Sequence, residues 1–483
     1  MSDGIPLDDL LTRVATHEPR LVPNVEVAAT SGVVIADVTH DSRRVMAGTL
    51  FVCVRGSQAD GHQFAEDALA AGAVALVVDR RLSLGRNVPQ LVVADTREAM
   101  GPIAAAFYDF PGDALTLIGI TGTNGKTTTA HALESIVAAS GRKVAVIGTL
   151  TQGRTTPEAT DLQRRLAELR SDGVEIVILE VTSHALDLHR VRGLHFDVAI
   201  FTNLSPDHLD FHETMEAYFR AKAKLFTPEY ATRAIVNSDD PRGSLLVAAA
   251  LIPTESVTLS DATSLVLGAT HSTFEIRGEK VELALAGSFN VSNALEAAGA
   301  ARMLGIDDST IARGLTTTSV PGRFEPIVEG QSFGVVIDFA HTPDGLERLL
   351  KAARETLAAG SKLICVFGCG GDRDRAKRPA MGAIGSSLSD VAIITSDNPR
   401  SEDPKSIADQ MLAGVSNRSR VVVELDRAVA IERAIGVATD SDLVVIAGKG
   451  HETGQESGGV VLPFDDREVA RETLRRLHSV GVR

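Results

Sequence analysis

The sequence predicts a three-domain α/β protein with mostly parallel sheets, and three observations lead there. Its 483 residues exceed what a single core ordinarily organises, at ~150 residues per domain. Short apolar runs alternate with polar or helix-forming stretches along the chain, the strand-helix-strand pattern that covers a parallel sheet on both faces. The turn Pro111-Gly112-Asp113 and the segment VPGRFEPIVEG around 320–330 interrupt that alternation, which sets the expected units at 1–112, 113–325 and 326–483.

The first unit is a small α/β domain, because VVIADV, TLFVCV, AVALVV and QLVVA between Val33 and Ala94 read as short strands. Ahead of them, MSDGIPLDDLLTRV has the spacing of an acidic amphipathic helix and lacks the basic and apolar regions of a secretion signal, so a cytoplasmic protein is expected. The central unit opens with the strand LTLIGI, a glycine loop and a helix from about Lys126 to Ala139, and continues through KVAVIGT, VEIVILEV, DVAIFTNL and AIVNS. That order predicts a P-loop ATPase-type fold. In the third unit, VVIDFAH, KLICVFGCG, DVAIITSDN, RVVVEL and DLVVIAGKG alternate in a Rossmann-like way. Functional residues in such sheets gather beyond the carboxyl ends of strands, where nearly every polar cluster of this sequence falls.

Composition narrows the classes. With 44% hydrophobic and 23% charged residues and no long apolar run, the chain is globular and not membrane-embedded. Its 48 basic and 63 acidic residues give a net charge of −15, which repels a nucleic-acid backbone and leaves anionic substrates to local basic residues. Cys53, Cys365 and Cys369 are too few and scattered for a disulfide framework and read as buried thiols.

The most informative segment is TGTNGKTT over 121–128. Gly122, Thr123, Asn124 and Gly125 let backbone N–H groups approach phosphate oxygens; Lys126 neutralises β/γ charge, Thr127 can ligate Mg²⁺, and Thr128 continues the helix start. ATP is the ligand this implies. The strict phosphate-loop pattern would place glycine at Ile120, so the loop is a departure from it. Two further strand ends carry possible metal ligands: Glu180 with Thr182 and His184, then Asn203 with Asp207, His208, Asp210 and His212. Oxygen and imidazole donors there suit one or two Mg²⁺ ions beside a triphosphate, with Glu180 and His208 favoured. In the third unit, Asp397, Asn398, Pro399 and Arg400 follow a strand, and a planar guanidinium there could take a carboxylate bidentately.

These residues resemble the Mur ligase family, whose nucleotide signature TGTNGKTT is shared with folylpolyglutamate synthetases. The blocks EVTSHALDLHRVRG, FTNLSPDHLDFH, GSFNVSNALEA, VPGRFE, DFAHTPDGLERLL, FGCGGDRDRAKRPAMG, SDNPRSEDP and AGKGHE extend the resemblance over essentially the whole chain. It implies an ATP-dependent amide ligase of peptidoglycan precursor synthesis, monomeric, acting on UDP-MurNAc-L-Ala-D-Glu and meso-diaminopimelate. Lys126, Glu180, His208 and Lys222 are then the catalytic set, with Lys222 carbamylated by CO₂ and facing the second of two Mg²⁺ ions. Asn290, Arg323, Asp338 and His341 join the loop on ATP. Ser42, Ser57, Gln58, Ala59, Thr155, Thr156, Thr182 and Arg190 hold the UDP-dipeptide. Arg373, Asp397, Asn398, Pro399, Arg400, Gly448 and Glu452 hold the diamino acid, whose distal carboxylate needs a cation that lysine-adding relatives lack. Three rivals stand beside this: a folate-type polyglutamate ligase, which shares the loop but not the DNPR and GKGHE blocks; a lysine-adding ligase, disfavoured by Arg400; and a nucleotide-dependent switch without ligation.

Overall fold

The computed structural model describes residues 4–21, 32–56, 59–151, 153–268 and 270–481. Helix α1 (Leu7–His17) carries Asp8 and Asp9 in its first turn, where negative charge complements the helix dipole. It buries Leu7, Leu10 and Val14, spaced three and four apart, in the first core. The sheet beneath is β1 (Asp37–Thr39), β2 (Thr49–Val52), β3 (Ala73–Val78) and β4 (Gln90–Val92), all parallel and in chain order. Alternate residues serve opposite faces: Leu50 and Val52 meet α1 and α2 (Thr96–Phe107), while Phe51 and Cys53 meet the helix carrying Ala65, Ala68 and Leu69. Asp95 caps α2 by accepting from the N–H groups of Arg97 and Glu98, a contribution of about 1 kcal/mol.

The central unit begins with β5 (Thr116–Thr121), α3 (Lys126–Ala139), β6 (Val144–Ile147), α4 (Ala159–Ser171) and β7 (Ile176–Glu180). It continues with β8 (Phe196–Phe201), α5 (Met215–Ala223), β9 (Ala231–Asn237) and β10 (Thr254–Val257). The six strands run parallel in the order β10-β9-β8-β5-β7-β6. The chain leaves β5 for one side of the sheet and later crosses to the other, so a crevice opens beyond the carboxyl end of β5. Ile120, fully buried, pairs with Ile200 and Glu180 in the ladder, which explains why the glycine loop starts only at Gly122. A three-stranded antiparallel meander follows, β11 (Thr263–Leu267), β12 (Ser272–Ile276) and β13 (Glu279–Leu283). Its Phe274, Ile276, Val281 and Leu283 pack into the core shared by α3 and α6 (Ser288–Met303).

The last unit comprises β14 (Glu325–Pro326), β15 (Gly334–Asp338), α7 (Pro343–Glu355), β16 (Leu363–Phe367), α8 (Lys377–Leu388) and β17 (Val391–Ile394). Then come β18 (Val421–Val423), α9 (Arg427–Val437), β19 (Leu443–Ala447), the hairpin β20 (Gly454–Ser457) and β21 (Val460–Pro463), and α10 (Asp466–Gly481). Its sheet order is β14-β15-β19-β16-β17-β18, parallel except for β14. Ala286 and Phe324 are fully buried in the core of this sheet beside Leu346 and Phe367, and the rings of Phe289 and Phe324 lie 6.1 Å apart. The three cysteines are free and buried, and burial pushes the thiols of Cys53 and Cys369 up to about 12. Among the described residues, no helix is long and apolar enough to cross a membrane.

Candidate active site

A cavity of about 600 Å³ lies beyond β5, lined by the glycine loop, by the ends of β7 and β8, and by Arg323, Asp338 and His341 across from them. The loop is shaped by two glycines. Gly125 sits at φ +90°, and a Cβ there would stand 2.4 Å from Asn293 Oδ1; a Cβ on Gly122 would stand 1.9 Å from Thr202 Oγ1. The end of β8 fastens the loop: Thr123 N–H donates to Asn203 O (2.8 Å), Asn124 N–H to Asn203 Oδ1 (3.1 Å), and Thr202 Oγ1 to Asn124 O (2.6 Å). Asp344, at the start of α7, accepts from Asn124 Nδ2 (3.0 Å) and Ser205 Oγ (2.6 Å), so the last unit touches the loop directly.

Two lysines converge on one oxygen. Lys126 Nζ donates to Gly122 O (2.9 Å) and Thr123 O (2.8 Å), and Lys222 Nζ donates to the same Gly122 O (2.7 Å). Lys222 is fully buried, its Nζ 4.6 Å from the Tyr218 ring centroid, and among the described residues no carboxylate pairs with it. Burial and the neighbouring Lys126 ammonium push its pKa well below the ordinary lysine range. Lys224, two residues on, instead reaches out to Asp187 at 2.5 Å. A neutral amine on Lys222 avoids placing a second buried cation beside the Lys126 ammonium on the same carbonyl oxygen.

The opposite wall is acidic. Glu180 is fully buried, and both its oxygens accept from Thr127 Oγ1 (3.1 Å each), one also from Thr149 N–H (2.9 Å). Its side-chain partners are the hydroxyls of Thr127 and Thr149 and the Thr149 N–H, and a Cβ on Gly148 would come within 2.2 Å of Glu180 Oε1. A buried carboxylate held only by hydroxyl and amide donors beside a phosphate loop offers hard oxygen ligands of the kind Mg²⁺ takes. Among the described residues, no group of three His, Cys, Asp or Glu side chains is gathered so as to hold a metal ion by itself. His208 lines the cavity at φ +53°, its ring edge-on to His184 at 4.8 Å. Burial, with the neighbouring His208 and His212, lowers His184 to about 4.

The other residues singled out in the sequence fall into three places. Around Glu180, Thr156 Oγ1 donates to Glu180 O (2.8 Å) and lies 3.3 Å from Thr182 Oγ1, Thr155 meets Thr149 (3.1 Å), and Arg190 reaches Thr156 O (3.2 Å). Across the cavity from the glycine loop, Asp338 accepts from Phe324 N–H (2.8 Å) and Ala340 N–H (2.7 Å), and Arg323 stacks on Phe339 at 4.4 Å. Asn290 is buried and donates to Ala286 O (2.8 Å), while Asn293, one turn on, lines the cavity. In the first unit, Ser42 opens a short turn capped by Asp41, and Ala59 O accepts from Gly56 N–H (2.8 Å); Ser57 and Gln58 lie outside the described residues.

The third place is the carboxyl edge of the last sheet. Asn398 Nδ2 donates to Glu452 Oε2 (2.9 Å), and the fully buried Lys449 bridges Asn398 Oδ1 (3.0 Å) and Glu452 Oε2 (3.1 Å). Arg400, at φ +53°, follows Pro399, donates through Nη1 to Gly371 O (2.7 Å) and pairs with Glu456 (3.3 Å). Gly448 sits at φ +120°, where a Cβ would come within 2.6 Å of Asp397 Oδ2. Arg373 is exposed near Gly370, the glycine whose Cβ position is 3.0 Å from Arg400 Nη1. Sequence reasoning missed Asn293, Asp344, Lys449 and Glu456. The first three lay inside the blocks GSFNVSNALEA, DFAHTPDGLERLL and AGKGHE, whereas nothing local marked Glu456.

A phosphate loop at the switch point of a parallel sheet, with a second α/β unit against it, defines the class of P-loop nucleotide-binding proteins. Sequence models of the Mur ligase family match in three places: its catalytic domain over 34–108, the middle domain over 120–301 and the glutamate ligase domain over 322–450. The chain belongs to the Mur ligase family and is an ATP-dependent ligase. It is 46% identical over 468 residues to the UDP-N-acetylmuramoyl-L-alanyl-D-glutamate--2,6-diaminopimelate ligase of Geobacillus kaustophilus, covering 91% of this chain and 95% of the relative. The enzyme of the same name from Streptomyces coelicolor is 43% identical over 493 residues, covering 96% and 97%. A solved structure of a ligase of that name superposes with a TM-score of 0.67 at 33% identity, covering 92% of this chain and 96% of the other. A folylpolyglutamate synthase from Mycobacterium tuberculosis shares the fold at 18% identity, with a TM-score of 0.57, covering 79% of this chain and 94% of that one.

Proposed function

We propose that the chain joins meso-diaminopimelate to the D-glutamyl γ-carboxylate of UDP-MurNAc-L-Ala-D-Glu at the expense of ATP, working as a cytoplasmic monomer. A carboxylate is a poor electrophile, so its oxygen first takes the γ-phosphoryl group: an O–P bond forms, the bond from Pγ to the β,γ-bridging oxygen breaks, and ADP leaves. The amine of the diamino acid then attacks the acyl carbon, phosphate departs with the C–O bond, and the amine proton passes to solvent. Bound Mg²⁺ supplies charge neutralisation at the phosphoryl oxygens.

The chain's own residues do the positioning. Thr127 and Glu180 would be the oxygen donors for one ion, and Lys126 would offset charge on the phosphoryl group. Lys222 would carry the carbamate, formed when its neutral amine adds CO₂ and loses a proton, which turns a buried amine into an oxygen ligand; that carbamate would serve a second ion, with His208 as a further ligand. Thr155, Thr156, Thr182, Arg190, Ser42, Ser57, Gln58 and Ala59 hold the UDP-dipeptide. Arg373, Asp397, Asn398, Pro399, Arg400, Gly448 and Glu452 hold the diamino acid. The single observation that carries the acceptor assignment is Arg400 and Glu452 at one sheet edge, a cation for a distal carboxylate and an anion for a distal ammonium. Phosphate release with ATP, UDP-MurNAc-L-Ala-D-Glu and each amino acid in turn tests it. Turnover with meso-diaminopimelate and not with L-Lys is expected; the reverse overturns the assignment.

A further inference from the structure

The two loops proposed to hold the diamino acid leave the sheet from strands that are not neighbours. Asp397–Arg400 follows β17 and Gly448–Glu452 follows β19, with β16 between them. The ladders through β16 space the two strands, but no ladder hydrogen bond joins β17 to β19 directly, and beyond the strand ends the two loops are held to each other by side chains. Arg427, the first residue of α9, is fully buried and touches both. Its Nη1 donates to Ser396 O (3.3 Å), just ahead of Asp397, and its Nη2 to Ala447 O (3.0 Å), just ahead of Gly448. The other edge of the same guanidinium is held by Asp466, at the start of α10 and likewise fully buried, through Nε to Oδ1 (2.7 Å) and Nη2 to Oδ2 (2.7 Å).

We infer that Arg427, aimed by Asp466, is the positioning residue that sets the distance between the two acceptor loops. The planar fork is rigid, so two carbonyls on one edge and a bidentate carboxylate on the other leave it one pose. Lys449, also fully buried, ties the loops through the side chains of Asn398 and Glu452, whereas Arg427 holds main-chain carbonyls, that of Ala447 at the end of β19 and that of Ser396 two residues past β17. The inference rests on the acceptor assignment above. It differs in that neither Arg427 nor Asp466 touches the amino acid.

The test separates positioning from stability. A buried ion pair replaced as a whole by apolar side chains of similar size is commonly neutral or stabilising, so Arg427→Met with Asp466→Leu should fold, melting below the wild type only to the extent that the carbonyls of Ser396 and Ala447 lose a donor. Its KM for the amino acid that the wild type uses should rise about tenfold or more, the scale of misplacing a binding group by a fraction of an ångström to one ångström. The KM values for ATP and UDP-dipeptide and the kcat at saturating amino acid should stay near wild type. Should the double variant fail to fold, Arg427→Lys keeps the charge but loses the fork and should show the same selective rise. An unchanged amino-acid KM in a folded variant overturns the inference, as does a parallel loss in all three KM values. If the wild type turns over with an amino acid other than meso-diaminopimelate, the substrate assignment fails while the same ratio, measured on that amino acid, still decides the role of Arg427.

Discussion

Replacing Glu296 with glutamine should remove a pH-dependent cost from the fold beneath the nucleotide cavity. Glu296 in α6 is fully buried, accepting from Asn237 Nδ2 (3.0 Å) and Thr129 Oγ1 (3.0 Å), and no cation pairs with it among the described residues. Burial raises its carboxyl from 4.5 to about 8. The folded chain thus keeps a proton that the unfolded chain surrenders near pH 4.5. A carboxyl raised in this way contributes stability that is complete below the unfolded value and is lost as pH rises through the folded one. At about 1.4 kcal/mol per pH unit, the loss from this residue is roughly 3 kcal/mol between about pH 4.5 and 7. A glutamine has the same shape, is neutral throughout, accepts from Asn237 and can donate to Thr129. Urea unfolding of the two proteins should therefore differ by less than about 1 kcal/mol at about pH 5, with the Glu296→Gln variant favoured by about 3 kcal/mol at about pH 7, since other titrating groups cancel in the difference. A gap that does not change between those pH values would refute the reasoning.

Gly125→Ala puts a Cβ at φ +90° and 2.4 Å from Asn293 Oδ1, so nucleotide binding measured by calorimetry should fall at least about tenfold while the far-ultraviolet circular dichroism is kept. Lys222→Ala should abolish phosphate release, and a short carboxylic acid should restore part of it; full activity of the variant without rescue would sink the carbamate. Arg400→Lys keeps a charge but cannot repeat both the Gly371 contact and a bidentate grip on a carboxylate, so the KM for meso-diaminopimelate should rise by about one to two orders of magnitude with little change for ATP.

Much of this site was legible because its parts are contiguous in sequence. The glycines, Lys126 and Thr127 occupy one loop between a strand and a helix, and the helix runs over the predicted span from Lys126 to Ala139. Glu180 could be read from the end of an apolar run, and the structure sets its carboxylate against Thr127. What was not legible depends on which strands lie side by side. Periodicity identifies β16, β17 and β19 as strands but does not say that β19 lies between β15 and β16, so the bridging role of Arg427 had no local sign. Asp466 is 39 positions from Arg427. Glu296 lies in FNVSNALEAAGA, which reads as an ordinary helix until Asn237 and Thr129 are brought to it. The meander over 263–283 was not read either, since its strands carry exposed Lys and Glu beside the few apolar residues that reach the core.

The packing of Phe324 and Ala286 into the core of the last sheet bears on how the chain can be cut and how it can move. A protein ended at residue 325 would carry Ala286, Phe289 and Phe324 stripped of their partners, an apolar face prone to self-association, and a fragment starting at 326 would lack part of its own core. The central and last units should accordingly melt in one calorimetric transition rather than two. The stretch around 320–330 is thus seated in the core of the last sheet through Phe324 and is an anchored joint rather than a slack tether between the two units.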